Sequence, residues 1–473
     1  MSYTSRETYN WGSSKKRFEW KAEYQNGIVP RDSDLEKELF DEASHVHTGL
    51  NFSKYDDIPV KVKGDNIPPA FQRFEDANLH PCMKENIQLA RYISPTPVQR
   101  YSVSIVTAGR DLMACAQTGS GKTAAFLIPT LSALFGQANQ LIHRPKPYEM
   151  NHWKARPLVL IMAPTRELCT QIFDDARRFC YRSMLRPCCV YGGAGVTGQL
   201  REMEKGCDIL VAAPGRLIDF IDRGKIDLSN LKYLVLDEAD RMLDMGFEQT
   251  IREIVERKGM SQDRCTLMYS ATFPREIRAL ARDFLKPNYL FLKVGRVGGT
   301  TTDITQKIMW VEEHEKRDKL KEILLSQPPC RTLIFVDTKR GADTVDQFLF
   351  DNKLPSTSIH GDRSQMERED ALLAFKSGNC PILVATAVVA RGIDVRNVMH
   401  VINYDMTPNI DEYIHRIGRT ARAGNAGLAT SFFNSKNMTL AKDVTKLLLE
   451  CKQEIPPFLE PYRTTNLRFD DDD

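Results

Sequence analysis

The stretch Tyr-Leu-Val-Leu-Asp-Glu-Ala-Asp at residues 233–240 decides the fold class. Its four apolar residues are followed at once by two carboxylates, Asp237 and Glu238. A short, continuously apolar run is typical of a strand buried on both faces, as in parallel sheets covered by helices. Acids that follow such a strand lie at its carboxyl end, where open α/β sheets bind ligands. Acids that only decorate a helix N-terminus are the alternative, because the helix dipole favours them there.

Similar short apolar runs occur in two series along the chain. The first series lies at residues 158–163, 209–213, 233–236 and 266–269, and the second at 332–336, 381–385, 400–404 and 428–433. Longer helical patterns, such as 166–181 and 411–423, separate them. Strands that alternate with helices predict doubly wound parallel sheets. The sequence therefore predicts two α/β domains, joined by the Gly- and Thr-rich residues 294–303.

The first 66 residues have a different character. Residues 11–24 mix basic and aromatic side chains and are interpreted as a solvated tail or as an RNA-binding arm. Ser33 and Glu36 form a capping-box pattern, and Leu35, Leu39 and Phe40 add an apolar stripe. This region predicts one short helix without a core of its own.

Composition excludes several classes of protein. The 473 residues are 42% apolar and 27% charged, which is ordinary for globular proteins. A net charge of +3 is too small to indicate a nucleic-acid partner by itself. Eleven cysteines without a CxxC pair predict reduced thiols, not disulfides or zinc sites. A polar N-terminus without a long apolar stretch predicts a soluble intracellular protein with no membrane partner.

A second motif, Ala-Gln-Thr-Gly-Ser-Gly-Lys-Thr at residues 116–123, follows an apolar stretch and opens a helix. Its glycines let backbone N–H groups approach phosphate, Lys122 can reach the β and γ phosphates, and the Thr123 hydroxyl can bind magnesium. Ala116 stands where the general pattern has glycine, and a short glycine loop before a helix is often only a turn. Asp237, holding magnesium largely through water, and Glu238, orienting the attacking water, complete the set. Loop and acids together predict a nucleoside triphosphatase.

The ordered motifs resemble those of DEAD-box RNA helicases over about residues 51–456. They are Phe74 with residues 95–99, then 116–123, 164–168, 192–193, 214–216, 237–240, 270–272, Phe335, 360–362, 365–368, 386–394 and 415–422. Residues 51–60 are also similar to the branch that contains Belle and Vasa, which act on messenger RNA.

The resemblance implies two tandem RecA-like domains at residues 67–293 and 304–456, with an N-terminal extension 1–66, a linker 294–303 and a tail 457–473. It implies ATP and Mg²⁺ as cofactors, with Gln99 reading adenine and Tyr92 stacking on it beside Phe74. Catalysis would use Glu238, Lys122 and Asp237 with the arginine fingers Arg419 and Arg422. The other implied ATP contacts are Thr118, Gly119, Ser120, Gly121, Lys122, Thr123, Gly392 and Asp394.

The implied partner is single-stranded and short duplex RNA of any sequence. The implied RNA contacts are Pro164, Thr165, Arg166, Gly192, Gly193, Arg216, Arg368 and Thr386. Asp240, Ser270, Thr272 and His415 would couple the nucleotide state to RNA. Similarity to the branch adds translation-initiation or messenger-ribonucleoprotein partners, a monomer capable of RNA-dependent self-association, and a cytoplasmic location with the nucleus or ribonucleoprotein granules as alternatives.

Four positions depart from the family pattern: Ser94, Ala213, Val389 and Ala421. Ala421 replaces a glycine between the two arginine fingers. If this glycine needs a positive φ, alanine costs about 1 kcal/mol, whereas in a helix alanine is harmless. We expect the helical case, with activity retained.

Three functions fit these residues. The first is an enzyme that couples RNA-stimulated ATP hydrolysis to local unwinding of short duplexes and to ribonucleoprotein remodelling, with messenger RNA and translation initiation as its setting. The second is an ATP-dependent RNA clamp with little turnover. The third, a DNA helicase or translocase, is disfavoured by the motif set.

Overall fold

A computed structural model describes residues 28–40, 58–116, 119–142, 154–295, 304–387, 398–421 and 426–463. The chain forms two compact units, with a boundary between Val294 and Gly295. Several predictions lie outside the described residues. They concern residues 11–24, Thr118, Val389, Gly392, Asp394 and Arg422.

The first unit contains an eight-stranded sheet. Its strands are β1 Val60–Lys63, β2 Leu112–Cys115, β3 Val159–Met162, β4 Pro187–Val190, β5 Ile209–Ala212, β6 Tyr233–Leu236, β7 Cys265–Ser270 and β8 Leu290–Val294. Their order is β1-β8-β2-β7-β6-β3-β5-β4. All neighbours are parallel except β1 and β8. The four central strands β2, β7, β6 and β3 are almost wholly buried, as their apolar runs predict.

Eleven helices of the described residues belong to this unit. They are α1 Ser33–Phe40, α2 Pro81–Leu89, α3 Pro97–Thr107, α4 Lys122–Leu134, α5 Ala138–Leu141, α6 Arg166–Phe179, α7 Val196–Glu204, α8 Pro214–Asp222, α9 Ala239–Asp244, α10 Glu248–Arg257 and α11 Arg275–Phe284.

The second unit contains a six-stranded, wholly parallel sheet. Its strands are β9 Ile304–Trp310, β10 Thr332–Val336, β11 Ser356–Ile359, β12 Ile382–Thr386, β13 His400–Asn403 and β14 Gly427–Phe433, in the order β11-β12-β10-β13-β14-β9. Its described helices are α12 Lys316–Leu325, α13 Lys339–Asp351, α14 Gln365–Ser377, α15 Ile410–Ile417 and α16 Ala441–Glu450, with 3₁₀ turns at Ser435–Leu440 and Glu460–Tyr462.

Both predicted parallel-sheet domains are confirmed, and each predicted apolar run contains or overlaps a strand. The sequence did not predict β1, which is antiparallel and lies within the stretch assigned to the extension, or β4, β8, β9 and β11. Leu459, placed in the predicted tail, is fully buried in the core of the second unit. The proposed domain bounds therefore remain predictions.

The predicted helix in the extension is present as α1, but its cap differs from the predicted one. Asp32 Oδ1 accepts hydrogen bonds from the backbone N–H groups of Asp34 and Leu35, at 3.0 Å each. Glu36, expected to close a capping box with Ser33, instead accepts from Arg31 and from the Tyr181 hydroxyl. The local sequence pattern could not predict this contact, because Tyr181 lies 145 residues away from Glu36 along the chain.

Among the described residues, no helix is long and apolar enough to cross a membrane. All eleven cysteines are free in the structure. The described part of the chain also holds no group of three His, Cys, Asp or Glu side chains arranged to bind a metal ion.

Candidate active site

The site in the first unit is built where three neighbouring strands end. Strand β7 lies between β2, which leads into the glycine loop, and β6, which leads into the acids. The backbone N–H of Ala116 donates to Ser270 O at 3.0 Å, and that of Asp237 donates to Met162 O at 3.0 Å. The sheet therefore brings residues 116, 237 and 270 to one edge, although 33 or more residues separate them along the chain.

The glycine loop requires its last glycine. Gly121 has φ 91° and precedes α4, and a Cβ there would lie 2.5 Å from Gln99 Nε2. Gln99 Nε2 donates to Gly121 O at 3.1 Å, and Gln99 Oε1 accepts from Thr96 N at 2.9 Å. The Gln99 amide thus ties α3 to the loop, and its adenine-reading role stays a prediction.

Lys122 begins α4 with its side chain buried, and its Nζ donates to Ala116 O at 3.1 Å. Thr123 follows it in the first turn and is half-buried, as Ser120 is, while Gly119 is exposed. The loop therefore places one cation and a hydroxyl at the N-terminus of a helix, which suits a phosphate.

Three carboxylates follow β6 and all are buried. Asp237, Glu238 and Asp240 are 2%, 6% and 5% exposed. Burial raises the pKa of Asp237 to about 7, the positive charge of Lys122 opposes this rise, and the negative charge of Glu238 adds to it. The Asp237 carboxylate and the Thr123 hydroxyl are hard oxygen ligands of the kind that Mg²⁺ prefers, so these residue types fit the predicted metal site.

Asp240 joins the acids to the segment after β7. Its Oδ2 accepts from the Thr272 backbone N–H and Thr272 Oγ1, at 2.9 Å each, and from Ala271 N at 3.1 Å. The Ser270 side chain is fully buried. The structure therefore brings together the predicted coupling residues Asp240, Ser270 and Thr272, and their role in coupling stays a prediction.

An aromatic cluster lies beside the loop that precedes α3. Phe74 meets Tyr92 edge-on at 6.2 Å between ring centroids, and Tyr92 packs on Phe179 at 5.8 Å. Phe74 is buried while Tyr92 is half-buried. Of the two aromatic residues predicted to lie at the base, Tyr92 is the one with an accessible surface, and Phe74 packs against it.

The predicted RNA contacts of the first unit gather at the carboxyl ends of β3, β4 and β5. The Arg166 guanidinium lies 4.5 Å from the centre of the Tyr191 ring, and Arg216 donates to Ala194 O at 3.4 Å. Between them Gly192 and Gly193 are exposed, with open space where a Cβ would stand. Because this backbone is exposed and lies between two arginines, the phosphates of a nucleic-acid strand can approach it closely.

Thr165 and Pro164 are buried beneath this surface. Thr165 Oγ1 accepts from Leu168 N at 3.3 Å and caps α6, so its hydroxyl has a structural partner. Ala213 occupies the corresponding cap of α8 and provides no side-chain acceptor. The departure at Ala213 therefore removes a helix cap as well as a hydroxyl.

The second unit carries the remaining candidates on separate elements. Thr386 ends β12 and is buried, Arg368 lies half-buried in α14, and His415 is buried in α15. Arg419 is 4% exposed and its Nε donates to His415 O at 3.2 Å. It lies beyond the end of α15 at Ile417, although the sequence pattern predicted a helix through 423.

Ala421 contradicts the helical expectation. Its φ is 53°, in the left-handed region that glycine adopts without strain. Gly427 lies close by, since a Cβ on Gly427 would stand 2.7 Å from Ala421 N. This close approach of Ala421 to the first residue of β14 is the physical reason that a helical conformation is not adopted.

Two buried arginines near the carboxyl ends of strands were not predicted from the sequence. Arg241 is buried against Glu238, and Arg416 donates to Asp405 O at 2.8 Å and to Glu412 Oε1 at 2.8 Å. Arg241 directly follows the 237–240 motif and Arg416 lies within the 415–422 motif. An apolar neighbourhood around a charge is the available sequence signal.

Two family models match the chain. The DEAD/DEAH box helicase model matches residues 96–280, and the helicase conserved C-terminal domain model matches residues 315–424. The chain belongs to the DEAD/DEAH box helicase family. The two parallel-sheet units are therefore the tandem RecA-like domains of a DEAD-box protein, whereas the resemblance to the Belle and Vasa branch stays a prediction.

Solved structures of DEAD-box proteins resemble this chain. Saccharomyces cerevisiae Dbp5 bound to RNA and ADP-BeF3 is 26% identical with a TM-score of 0.65, covering 81% of this chain and 93% of its own. Mss116p bound to single-stranded RNA and AMP-PNP is 26% identical with a TM-score of 0.69, covering 81% and 79%. A DEAD box protein from Methanococcus jannaschii is 33% identical over 82% of this chain and 99% of its own, with a TM-score of 0.46.

Proposed function

We propose that this protein is an ATP-dependent RNA helicase that couples RNA-stimulated ATP hydrolysis to local unwinding of short duplexes and to ribonucleoprotein remodelling. The observation that carries the proposal is the convergence of Lys122, Asp237 and Glu238 at the ends of β2 and β6, on either side of β7. The solved structures of Dbp5 and Mss116p, which hold RNA and a nucleotide, support it.

ATP would bind with its phosphates at the N-terminus of α4 and its base against Tyr92. Lys122 would contact the β and γ phosphates, and Asp237 with Thr123 would hold Mg²⁺, which neutralises charge on the phosphates when bound. Gln99, fixed between Thr96 and Gly121, would face the adenine edge with its remaining amide N–H. A base without a matching edge would leave that amide unpaired, which is the expected source of selectivity for ATP.

Hydrolysis requires a water oriented toward the γ-phosphate, and Glu238 is the group proposed to orient it. Arg419 and Arg422 of the second domain would stabilise charge on the transferred phosphoryl group. The three hydrogen bonds from residues 271–272 to Asp240 would report the nucleotide state to the segment after β7.

RNA would bind through its backbone to the surface made by Arg166, Arg216 and the 192–193 loop, together with Arg368 and Thr386 of the second domain. Contacts of this kind position a strand without reading its sequence, and they depend strongly on salt. Messenger RNA as substrate, translation initiation as process and the cytoplasm as location rest on the similarity of residues 51–60 to one branch of the family.

Duplex unwinding tests the proposal against its alternatives. Short RNA and DNA duplexes are incubated with ATP or with a non-hydrolysable analogue, and strand separation is followed. The helicase separates RNA duplexes repeatedly with ATP and leaves DNA duplexes paired. An RNA clamp binds RNA with the analogue but scarcely turns over ATP, and a DNA helicase separates the DNA duplex; either result would overturn the proposal.

A further inference from the structure

Arg241 is among the largest side chains that the described residues bury completely, at 1% exposure. Its Nη1 donates to Glu238 Oε2 at 3.0 Å, and this ion pair is closed to solvent, with side-chain exposures of 2% and 8%. Arginine keeps its charge in proteins and is rarely buried without a partner. The contact therefore ties a permanent cation to the carboxylate that is proposed to orient water.

The other polar groups of the site have different partners. Lys122 Nζ binds Ala116 O, and Asp240 accepts from Thr272 through one oxygen and from Arg241 N through the other. Asp237 Oδ1 accepts from Glu238 N at 3.0 Å. The Arg241 guanidinium donates to the Glu238 carboxylate.

The backbone at Glu238 makes its orientation sensitive to this contact. Glu238 has φ 52° and ψ 50°, a left-handed conformation that a residue with a side chain adopts at a cost in free energy. Its side chain leaves the strand-to-helix turn in an unusual direction. A hydrogen bond from the next helical turn fixes one carboxylate oxygen, and thereby sets the direction of the other.

Helix α9 supplies that hydrogen bond and is itself anchored. It begins at Ala239, and Met242 on its inner face is fully buried. Asp240, one residue before Arg241, is joined to Thr272 by two hydrogen bonds. The guanidinium is therefore carried by a rigid element that also contacts the segment after β7.

We propose that Arg241 is a positioning residue for ATP hydrolysis, which holds Glu238 Oε2 so that the carboxylate faces the attacking water. This inference rests on the proposed function, because it assigns Arg241 a role only through Glu238. Arg241 touches neither nucleotide nor RNA in this account.

The test compares Arg241→Lys with the wild type, Glu238→Gln and the double variant. Lysine keeps the positive charge, but its ammonium group lacks the planar, fixed donor geometry of the guanidinium. The Glu238 carboxylate is therefore no longer held in one orientation. RNA-stimulated kcat and KM are measured for ATP, together with the Kd of a non-hydrolysable analogue and the melting temperature. Arg252→Lys is the matched control, because Arg252 forms a 3.0 Å ion pair with Glu248 on α10 of the same unit.

Arg241→Lys is expected to lower kcat at least tenfold, while KM and the analogue Kd stay within twofold of the wild type. In the Glu238→Gln background, followed by single-turnover hydrolysis of γ-labelled ATP, Arg241→Lys is expected to change the residual rate less than twofold. Arg252→Lys is expected to leave every value unchanged. If Arg241→Lys does not fold at the assay temperature, Arg241→Gln, which keeps a donor but no charge, is measured in the same cycle.

The inference is overturned by an unchanged kcat, by equal losses in both backgrounds, by a parallel loss of analogue affinity, or by faster hydrolysis without RNA. Equal losses in both backgrounds would show a structural role for Arg241, since positioning acts only through the Glu238 carboxylate. Failure of the proposed function has a different signature: the wild type then shows no RNA-stimulated hydrolysis, or Glu238→Gln hydrolyses ATP as fast as the wild type.

Discussion

Two residues at or beside the proposed site have a left-handed backbone although they carry side chains. Glu238 has φ 52° and Ala421 has φ 53°. Conformations of this kind cost of order 1–3 kcal/mol and persist where the surrounding structure enforces them. At Glu238 the turn from β6 into α9 enforces it, and at Ala421 the close approach of Gly427 does. The sequence revealed alanine in place of a usual glycine, but only the tertiary path of the chain reveals its φ.

Ala421→Gly is expected to stabilise the second unit by about 1 kcal/mol, because glycine adopts a positive φ without strain. Hydrogen exchange of amides in β14 measures the change in the full-length chain. Ala374→Gly, inside α14, is the matched control and is expected to destabilise by about the same amount. A loss of stability in Ala421→Gly would contradict the strain assigned to this residue. RNA-stimulated turnover is expected to rise less than tenfold.

His400 makes the stability of the second unit depend on pH. It is 1% exposed in β13, with its ring nitrogens near Gln327 Oε1 and Thr430 Oγ1, and burial lowers its pKa to about 4. Below pH 6.5 the unfolded chain takes up a proton that the folded chain does not. Stability contributed by neutral His400 is therefore complete above pH 6.5 and is lost as the pH falls toward 4.

Between pH 7.5 and pH 5 this loss amounts to about 2 kcal/mol, at about 1.4 kcal/mol for each pH unit below 6.5. His400→Gln is expected to reduce the pH dependence by that amount, measured by hydrogen exchange of β13 amides. The same substitution at exposed His314 serves as the control. An unchanged pH dependence in His400→Gln would show that the buried histidine is not responsible.

Helix α1 shows that the sequence pattern of an element does not reveal what the element packs against. The sequence predicted one short helix from a capping-box pattern and an apolar stripe, but assigned it no core. In the structure Leu35, Leu39 and Phe40 pack with Ala90 and Tyr181, and Tyr92 borders this cluster. A helix of the extension thus supports the aromatic residue proposed to stack on adenine. Long-range packing of this kind leaves no local signal in the sequence.

Leu35→Asp with Leu39→Asp is expected to release α1, because two buried charges without partners cannot stay in the cluster. Looser support of Tyr92 then raises the KM for ATP several-fold, while kcat changes less than twofold. Steady-state ATP hydrolysis at saturating RNA measures both values. Lys37→Asp, on the exposed face of the same helix, is the control. An unchanged KM would show that α1 does not contribute to nucleotide binding.

For the whole molecule, buried parallel strands were the most predictable feature, because continuous apolar runs report burial on both faces. Strand β4 alternates between half-buried and buried residues, and β11 begins with three polar residues, so the sequence signal at both was weak. Positions at the carboxyl ends of β2, β6 and β7 followed from the fold, so the acids and the glycine loop could be predicted. Arg241 and the left-handed Ala421 could not, since contacts made in three dimensions determine both.

Binding of nucleotide and of RNA is expected to be reciprocal. If a non-hydrolysable ATP analogue tightens binding of single-stranded RNA by some factor, RNA must tighten analogue binding by the same factor. We expect a factor of at least tenfold in each direction, measured by fluorescence anisotropy of labelled RNA and of labelled analogue. Independent binding of the two ligands would contradict the proposed coupling of the nucleotide state to RNA.

In the proposed function Glu238 orients the water for ATP hydrolysis, and RNA stimulates that hydrolysis. Phosphate release by the wild type and by Glu238→Gln, each with and without single-stranded RNA, tests it most directly. RNA is expected to raise wild-type turnover at least tenfold. Glu238→Gln is expected to lower the stimulated rate at least a hundredfold, about 2.7 kcal/mol of transition-state stabilisation. A hydrolysis rate indifferent to both RNA and the substitution would contradict the proposed function.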